Sequence, residues 1–285
     1  MSKEKKDQYV IACLERESDA AIVLPAARQC AARLGKGLFV LNVSKDGDNE
    51  WITRYGLPYI GLKGDWKTAI DGLPTAFGGV LAVTALDIQA PHSSIKHPST
   101  LLRTFADCKI AYLVVSGLWS VVCSEGASLL ATDHWPQTTT ITLDYRRESK
   151  EKLIWASYMV RFFGSRLIVA TPDYKDAGFR EKLRNNLQFT QKMYRSLGVE
   201  YTTTSIPASN LKSPDITLIE NSNLHTQTSE LKPPNSELLI AMTTDRRDRD
   251  LVDLIAGPPE LRLLRRSKVP ILFLNQRDDL YVLCD

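Results

Sequence analysis

The residues of this 285-residue chain that could do chemistry are few and dispersed. Asp144 ends a short apolar run, Ile141-Thr142-Leu143-Asp144. A carboxylate there either meets a ligand at the end of a strand or forms the turn into the next helix. A second concentration, Thr243-Thr244-Asp245-Arg246-Arg247-Asp248-Arg249, directly follows another apolar run. Its guanidinium groups could hold an anion through paired N–H donors, or simply line a solvated loop of mixed charge. Arg262, Arg265, Arg266 and Lys268 form a basic helix face, suited first to solvent and second to a protein or nucleic-acid contact. His92, His97, His134 and His225 have neither metal-ligand spacing nor a nucleophile partner and read as surface or turn residues. Cys13, Cys30, Cys108, Cys123 and Cys284 form no CxxC pair, and four of them sit in apolar contexts that suit buried thiols. With no Ser/His/Asp arrangement and no acid–base pair of carboxylates, the expectation is that the chain is not an enzyme.

The elements that must position these residues are clearest between Thr140 and Thr171. After the run ending at Asp144 comes a charged turn, with Ser149 placed to cap a helix and Glu151 in its first turn. Leu153, Ala156, Ser157, Val160 and Phe163 then follow a helical period, Gly164 stops the helix, and Leu167 to Ala170 reads as a buried strand. Strand, helix and strand in this compass form a βαβ unit with a parallel sheet and a right-handed crossover. The start of the chain repeats it. Tyr9 to Leu14 is a strand, Glu15-Arg16-Glu17-Ser18 answers Arg146-Arg147-Glu148-Ser149, and Ala20, Val23, Leu24, Ala27, Ala31 and Leu34 share one helix face. Gly35 ends that helix and Leu38 to Val43 is the next strand, while Pro25 inside the helix should bend it or remove a hydrogen bond.

The first half continues with a short polar connection from Ser44 to Leu57 and a weak strand at Pro58 to Leu62. A helix from Asp65 to Phe77 and a strand at Val80 to Thr84 follow. A helix from Pro98 to Asp107, capped by Ser99 or Thr100, leads to a strand at Ala111 to Val115. The second half adds a long helix from Phe179 to Leu197, with Phe179, Leu183, Asn186, Leu187, Thr190, Met193, Tyr194 and Leu197 facing in. It then has an edge strand at Val199 to Ser205, an irregular stretch from Pro207 to Glu237 and a strand at Leu238 to Met242. A helix from Pro259 to Arg266 and a strand at Ile271 to Leu274 complete it. The fold class is therefore α/β, with two doubly wound five-stranded parallel-sheet domains in tandem. Residues 1–116 form the first, shortened by one helix, 117–137 an ordered bridging segment, and 138–285 the second.

Composition sets the outer limits. A hydrophobic content of 44% supports an ordinary core, and a net charge of +3 is too mild to argue for nucleic acid or a membrane surface. The start MSKEKKDQ has basic residues without an apolar run behind it, so a cytoplasmic protein is expected.

With strand, charged turn, helix, Gly and strand at the front, and a helix with basic residues before a closing strand at the back, each half resembles a universal stress protein domain. The closing stretches match one another, Cys108 to Val115 (CKIAYLVV) with Ser267 to Leu274 (SKVPILFL). The whole chain resembles the tandem form of the family. The resemblance implies a five-strand parallel sheet with helices on both faces, a role in stress, and pairing through the last strands. In a tandem chain the strands ending at Val115 and Leu274 would supply that pairing, with a homodimer as a further possibility.

One branch of the family binds ATP through a carboxylate ending strand 1 and a Gly-x-x-Gly, nine residues, Gly-Ser/Thr motif after strand 4. Glycines there let backbone amides approach the phosphates, and a helix N-terminus adds positive potential. In the second half this carry-over keeps Asp144 and Gly257, places Thr244 and Arg247 at the first two glycines, and puts Pro258 at the hydroxyl. In the first half Ala85, Ile88, Pro98 and Ser99 stand at the motif, and Cys13 or Leu14 replaces the carboxylate, with Glu15 just beyond. The expectation is a stress-response protein acting as a non-catalytic binding or regulatory module, with no cofactor and without the usual ATP binding. Its partner would be a protein or small ligand rather than nucleic acid or membrane. The alternative is a nucleotide-binding protein with one altered ATP or AMP site formed by Asp144, Thr244, Arg247 and Gly257. An enzyme of the related adenine-nucleotide hydrolase-like folds would need a phosphate loop that this sequence lacks.

Overall fold

The structure, a computed structural model, describes residues 7–44, 50–76, 78–116, 135–208, 213–225, 237–243 and 257–275. The chain divides into two compact units, Met1–His134 and Trp135–Asp285. In the first, β1 (Tyr9–Leu14), α1 (Ala20–Leu34), β2 (Gly37–Ser44), α2 (Glu50–Thr53), β3 (Tyr59–Lys63), α3 (Trp66–Ala76), β4 (Gly79–Leu86), α4 (Pro98–Phe105) and β5 (Ala111–Ser116) follow in order. Every strand pairing is parallel and the strand order is β3-β2-β1-β4-β5. The second contains β6 (Thr138–Thr142), α5 (Glu151–Phe163), β7 (Arg166–Asp173), α6 (Ala177–Leu197), β8 (Tyr201–Pro207), α7 (Pro214–His225), β9 (Glu237–Met242), α8 (Pro259–Arg266) and β10 (Ile271–Leu274). Its order, β8-β7-β6-β9-β10, is that of the first unit, again all parallel. Both are doubly wound sheets of five strands.

The strand order follows from the connections. Right-handed crossovers carry β6 to β7 to β8 in one direction and β9 to β10 in the other, so α5 and α6 cover one face while α7 and α8 cover the opposite one. The helices meet in those pairs. The direction reverses between β6 and β9, and between β1 and β4 in the first unit. At such a switch point the carboxyl ends of the strands leave a crevice.

Several boundaries differ from the sequence expectation for identifiable reasons. Strand β6 stops at Thr142, so Asp144 lies two residues beyond it, although the Leu143 amide still donates to the Ala170 carbonyl at 2.9 Å. Ser149 does not cap α5. It sits in a 3-10 turn, Glu148–Lys150, and its hydroxyl donates to the Arg146 carbonyl at 2.8 Å. Helix α4 is preceded by His97 at its N-cap position and starts on Pro98, whose missing N–H costs nothing in a first turn, which leaves Ser99 and Thr100 inside the helix. The connection after β2 contains the short helix α2, and the stretch read as irregular contains α7. There Pro214 opens the helix and Ile216 and Ile219 are buried one turn apart. Asn221 and Asn223, poor helix formers, hid it.

Gly35 and Gly164 do end their helices in the left-handed region, at φ of 62° and 70°. Pro25 lies inside α1, where its residue gives up one intrahelical bond. The bridging segment lies outside the described residues from 117 to 134.

Only Leu183, Asn186, Thr190 and Tyr194 of α6 are buried, a narrow stripe, while Phe179 and Leu197 stay more than a third exposed. Tyr194 is fully buried, donates its hydroxyl to the Leu153 carbonyl at 3.0 Å and packs edge-on to Tyr201. Burial, and then the neighbouring Tyr201, push its phenol pKa above the ordinary value. The neutral phenol therefore supports the fold fully below the unfolded tyrosine value of about 10, and that support is lost as pH rises past it. Tyr194→Phe should lose about 1 kcal/mol at neutral pH, the net worth of the bond, yet show a flatter decline in stability above about pH 10. Urea melts of both proteins across that range would test this, and parallel declines would refute it.

Candidate functional site

The carboxyl ends of β6, β7 and β9 define the candidate site of the second unit. Asp144 stands at its floor, and its carboxylate is already engaged. Oδ1 accepts from the Arg146 amide at 2.9 Å, closing an Asx turn, and Oδ2 accepts from the Arg146 guanidinium through two nitrogens at 2.7 Å each. The Asp144 side chain is 5% exposed and that of Arg146 49%. Burial pulls the guanidinium pKa down, but the charge and hydrogen bond of Asp144, with the charges of Asp215 and Tyr145, together outweigh it, so the net shift is upward. Helix α6 fixes this turn from outside. The Asn186 amide donates to the carbonyls of Asp144 at 2.8 Å and Arg146 at 3.0 Å.

Beside the turn lies an aromatic layer. Tyr145 stacks on Phe179 with ring centres 4.3 Å apart and planes within 12°, and Tyr174 meets both rings edge-on. Burial raises the Tyr174 phenol pKa, with Asp144 and Tyr145 adding to the effect and Arg146 opposing it. Of its three rings only Tyr145 and Phe179 are near parallel, and Phe179 is its exposed member.

Above the end of β6 sits a buried charge cluster. The Lys152 ammonium, on the first turn of α5, donates to the Thr142 hydroxyl at 2.7 Å and lies 3.3 and 3.5 Å from the two oxygens of Asp215. Thr142 in turn donates to Asp215. The side chains of Lys152 and Asp215 are 4% and 11% exposed. Since α5 and α7 lie on opposite faces of the sheet, this pair ties the two helix layers together across the mouth of the crevice.

The first unit is closed by a different set of side chains at the corresponding place. Asp19 accepts from the amides of Glu15 and Arg16 and pairs with the Lys96 ammonium at 2.7 Å. Ser94 donates to the Glu15 carboxylate, and the Asn42 amide donates to the Leu14 carbonyl at 2.7 Å. Lys96 and Ser94 belong to the loop between β4 and α4, so that loop folds down over the end of β1. His92 and His97 lie against each other in the same loop, and Ser99 Oγ is 2.8 Å from His97 Nδ1.

Of the four residues expected from sequence, Asp144 and Gly257 are described, and Thr244 and Arg247 lie outside the described residues. Gly257 stands at φ 78°, and a Cβ there would come within 2.9 Å of Leu261 Cδ2, so both backbone and space require glycine before α8. Of the basic face on α8, Arg266 pairs with Glu220 of α7, and Arg265 and Lys268 are exposed. Cys13, Cys30 and Cys108 are buried free thiols, and burial raises the pKa of Cys13 and Cys30, which disfavours the reactive thiolate. Among the described residues no group of His, Cys, Asp and Glu could hold a metal ion, and no helix is long and apolar enough to cross a membrane.

The sequence reading missed Lys152, Asp215, Thr142 and Asn186. Asn186 carried a legible signal as a polar residue on the buried stripe of a long helix.

Comparison with solved structures identifies the fold as that of the universal stress proteins. A universal stress protein from Archaeoglobus fulgidus DSM 4304 aligns with 96% of this chain and 98% of its own at a TM-score of 0.58 and 11% identity. A protein of Pseudomonas aeruginosa UCBPP-PA14 assigned to the universal stress proteins aligns over 95% and 94% at the same TM-score and 12% identity. No family model matches the chain, and no curated protein matches it significantly in sequence.

The buried pair makes a thermodynamic prediction. Asp215→Ala leaves the Lys152 charge buried with one hydroxyl and should destabilise the protein by about 3 kcal/mol or more. Replacing both partners, as in Lys152→Met with Asp215→Leu, should cost less than that single change. Chemical denaturation of the three proteins would show it; a double variant weaker than Asp215→Ala would contradict it.

Proposed function

We propose that this chain is a stress-response protein that works as a non-catalytic binding or regulatory module and does not bind ATP in the usual mode of its fold relatives. The observation that carries this reading is that, among the described residues, charged and polar side chains at the carboxyl ends of the central strands of both units are bonded to one another. In the first unit these are Lys96, Asp19, Ser94 and Glu15. In the second they are Asp144 with Arg146, and Lys152 with Thr142 and Asp215. An adenine group seeking Asp144 would have to displace a two-nitrogen guanidinium bond, and in the first unit the Glu15 and Asp19 carboxylates are already engaged. The Cys13 and Cys30 thiols are buried with raised pKa values, which disfavours the nucleophilic thiolate at both.

A second reading is favoured by one group of observations. Gly257 keeps its left-handed backbone at the foot of α8, Asp144 keeps its place beyond β6, and the aromatic rings of Tyr145, Tyr174 and Phe179, the last exposed, stand beside it. On that reading the second unit binds ATP or AMP through Asp144, Thr244, Arg247 and Gly257, with the Arg247 side chain standing in for glycine amides. Calorimetry with ATP, ADP, AMP and cyclic nucleotides separates the two. The first reading expects no saturable micromolar binding. Micromolar binding that disappears in both Asp144→Ala and Arg247→Ala would replace it with the second.

A further inference from the structure

We propose that β8 is a self-pairing edge through which two copies of this chain join in antiparallel register. Strand β8 is the last strand of its unit's sheet, seven residues long, and among the described residues it pairs with β7 alone. Four consecutive residues, Thr202, Thr203, Thr204 and Ser205, are exposed. Successive strand residues point to opposite faces, so the middle of this strand is exposed on both. Strands of a doubly wound sheet are ordinarily buried on both faces. No charged residue stands between Tyr201 and Pro207. An exposed, uncharged, β-branched edge is a template for another strand. The equivalent edge of the first unit is guarded: β3 has five residues, carries Gly61 at its centre and ends on Lys63.

The sequence of β8 selects a second copy as the occupant. Antiparallel pairing about a two-fold axis at Thr203 sets Thr203 against its own equivalent, Thr202 against Thr204 and Tyr201 against Ser205. These are β-branched and hydroxyl pairs of the kind that stabilise adjacent strands. Glu200 then faces Ile206, which keeps the two Glu200 carboxylates apart. A foreign peptide added to an edge is chosen by pockets for its alternate side chains, and a row of exposed threonines offers none. The two-fold contact satisfies both edges and closes at a dimer. Paired strands alone fall short of the roughly 1,200 Å² of a standard stable interface, so the dimer is weak and concentration-dependent.

Sedimentation velocity on the full chain tests this. Wild type should pass from monomer to dimer as concentration rises. Thr203→Lys, at an exposed position on the proposed axis, should weaken dimerisation by at least about tenfold while leaving thermal unfolding unchanged. Thr203→Glu should do the same alone, and an equimolar mixture of the two variants should recover a heterodimer. A wild-type protein that stays monomeric, a dimer indifferent to both substitutions, or a loss that mixing does not restore would each overturn the proposal.

Discussion

Lys152 places a positive charge where water is excluded, and the architecture of the second unit's carboxyl edge depends on how that charge is answered. An isolated ammonium in such a place is strongly unfavourable, so it must be paired and hydrogen-bonded. The answer comes from two directions at once, Thr142 at the end of the central strand and Asp215 from a helix on the far face. Because Asp215 occupies the first turn of α7, it also lies where a helix favours negative charge. The pair thereby sets the position of α7, and α7 carries the chain back across the sheet to β9.

The first unit solves the same geometric problem with other residues. Its carboxylate comes from the start of α1 and its ammonium from a loop, the reverse of the second unit, where the helix after the central strand supplies the ammonium. The two halves repeat an architecture without repeating the chemistry at its opening. At the opening of each crevice, among the described residues, side chains of the chain are bonded to one another.

The parallel sheets were legible in the sequence because their signals are local: an apolar run, a helical period and a glycine in a left-handed cap, as at Leu167, Leu153 and Gly164. The position of Asp144 was legible for the same reason. Its engagement with Arg146 was not, since a turn and a ligand contact call for the same residue type at the same place. Lys152 was hidden by its setting, because a lysine in the first turn of an amphipathic helix normally faces water. Asp215 was hidden by composition, inside a stretch whose Asn, Ser and Pro content reads as loop. Contacts between elements distant in sequence decide both, and periodicity carries no record of them.

The central strand β6 reads Thr-Thr-Thr-Ile-Thr, and all five residues are buried. Its counterpart β1 is Tyr-Val-Ile-Ala-Cys-Leu. Thr140 bonds to Glu237 and Thr142 to the charge cluster, whereas the Thr139 hydroxyl is buried without a partner among the described residues. An unsatisfied buried hydroxyl costs on the order of 1–3 kcal/mol, and valine has nearly the same shape. The second unit is therefore held below the stability its own backbone permits, and the first is not held back at the matching strand. Selection or engineering for heat resistance would find one gain in the middle of β6, at a side chain that no solvent reaches.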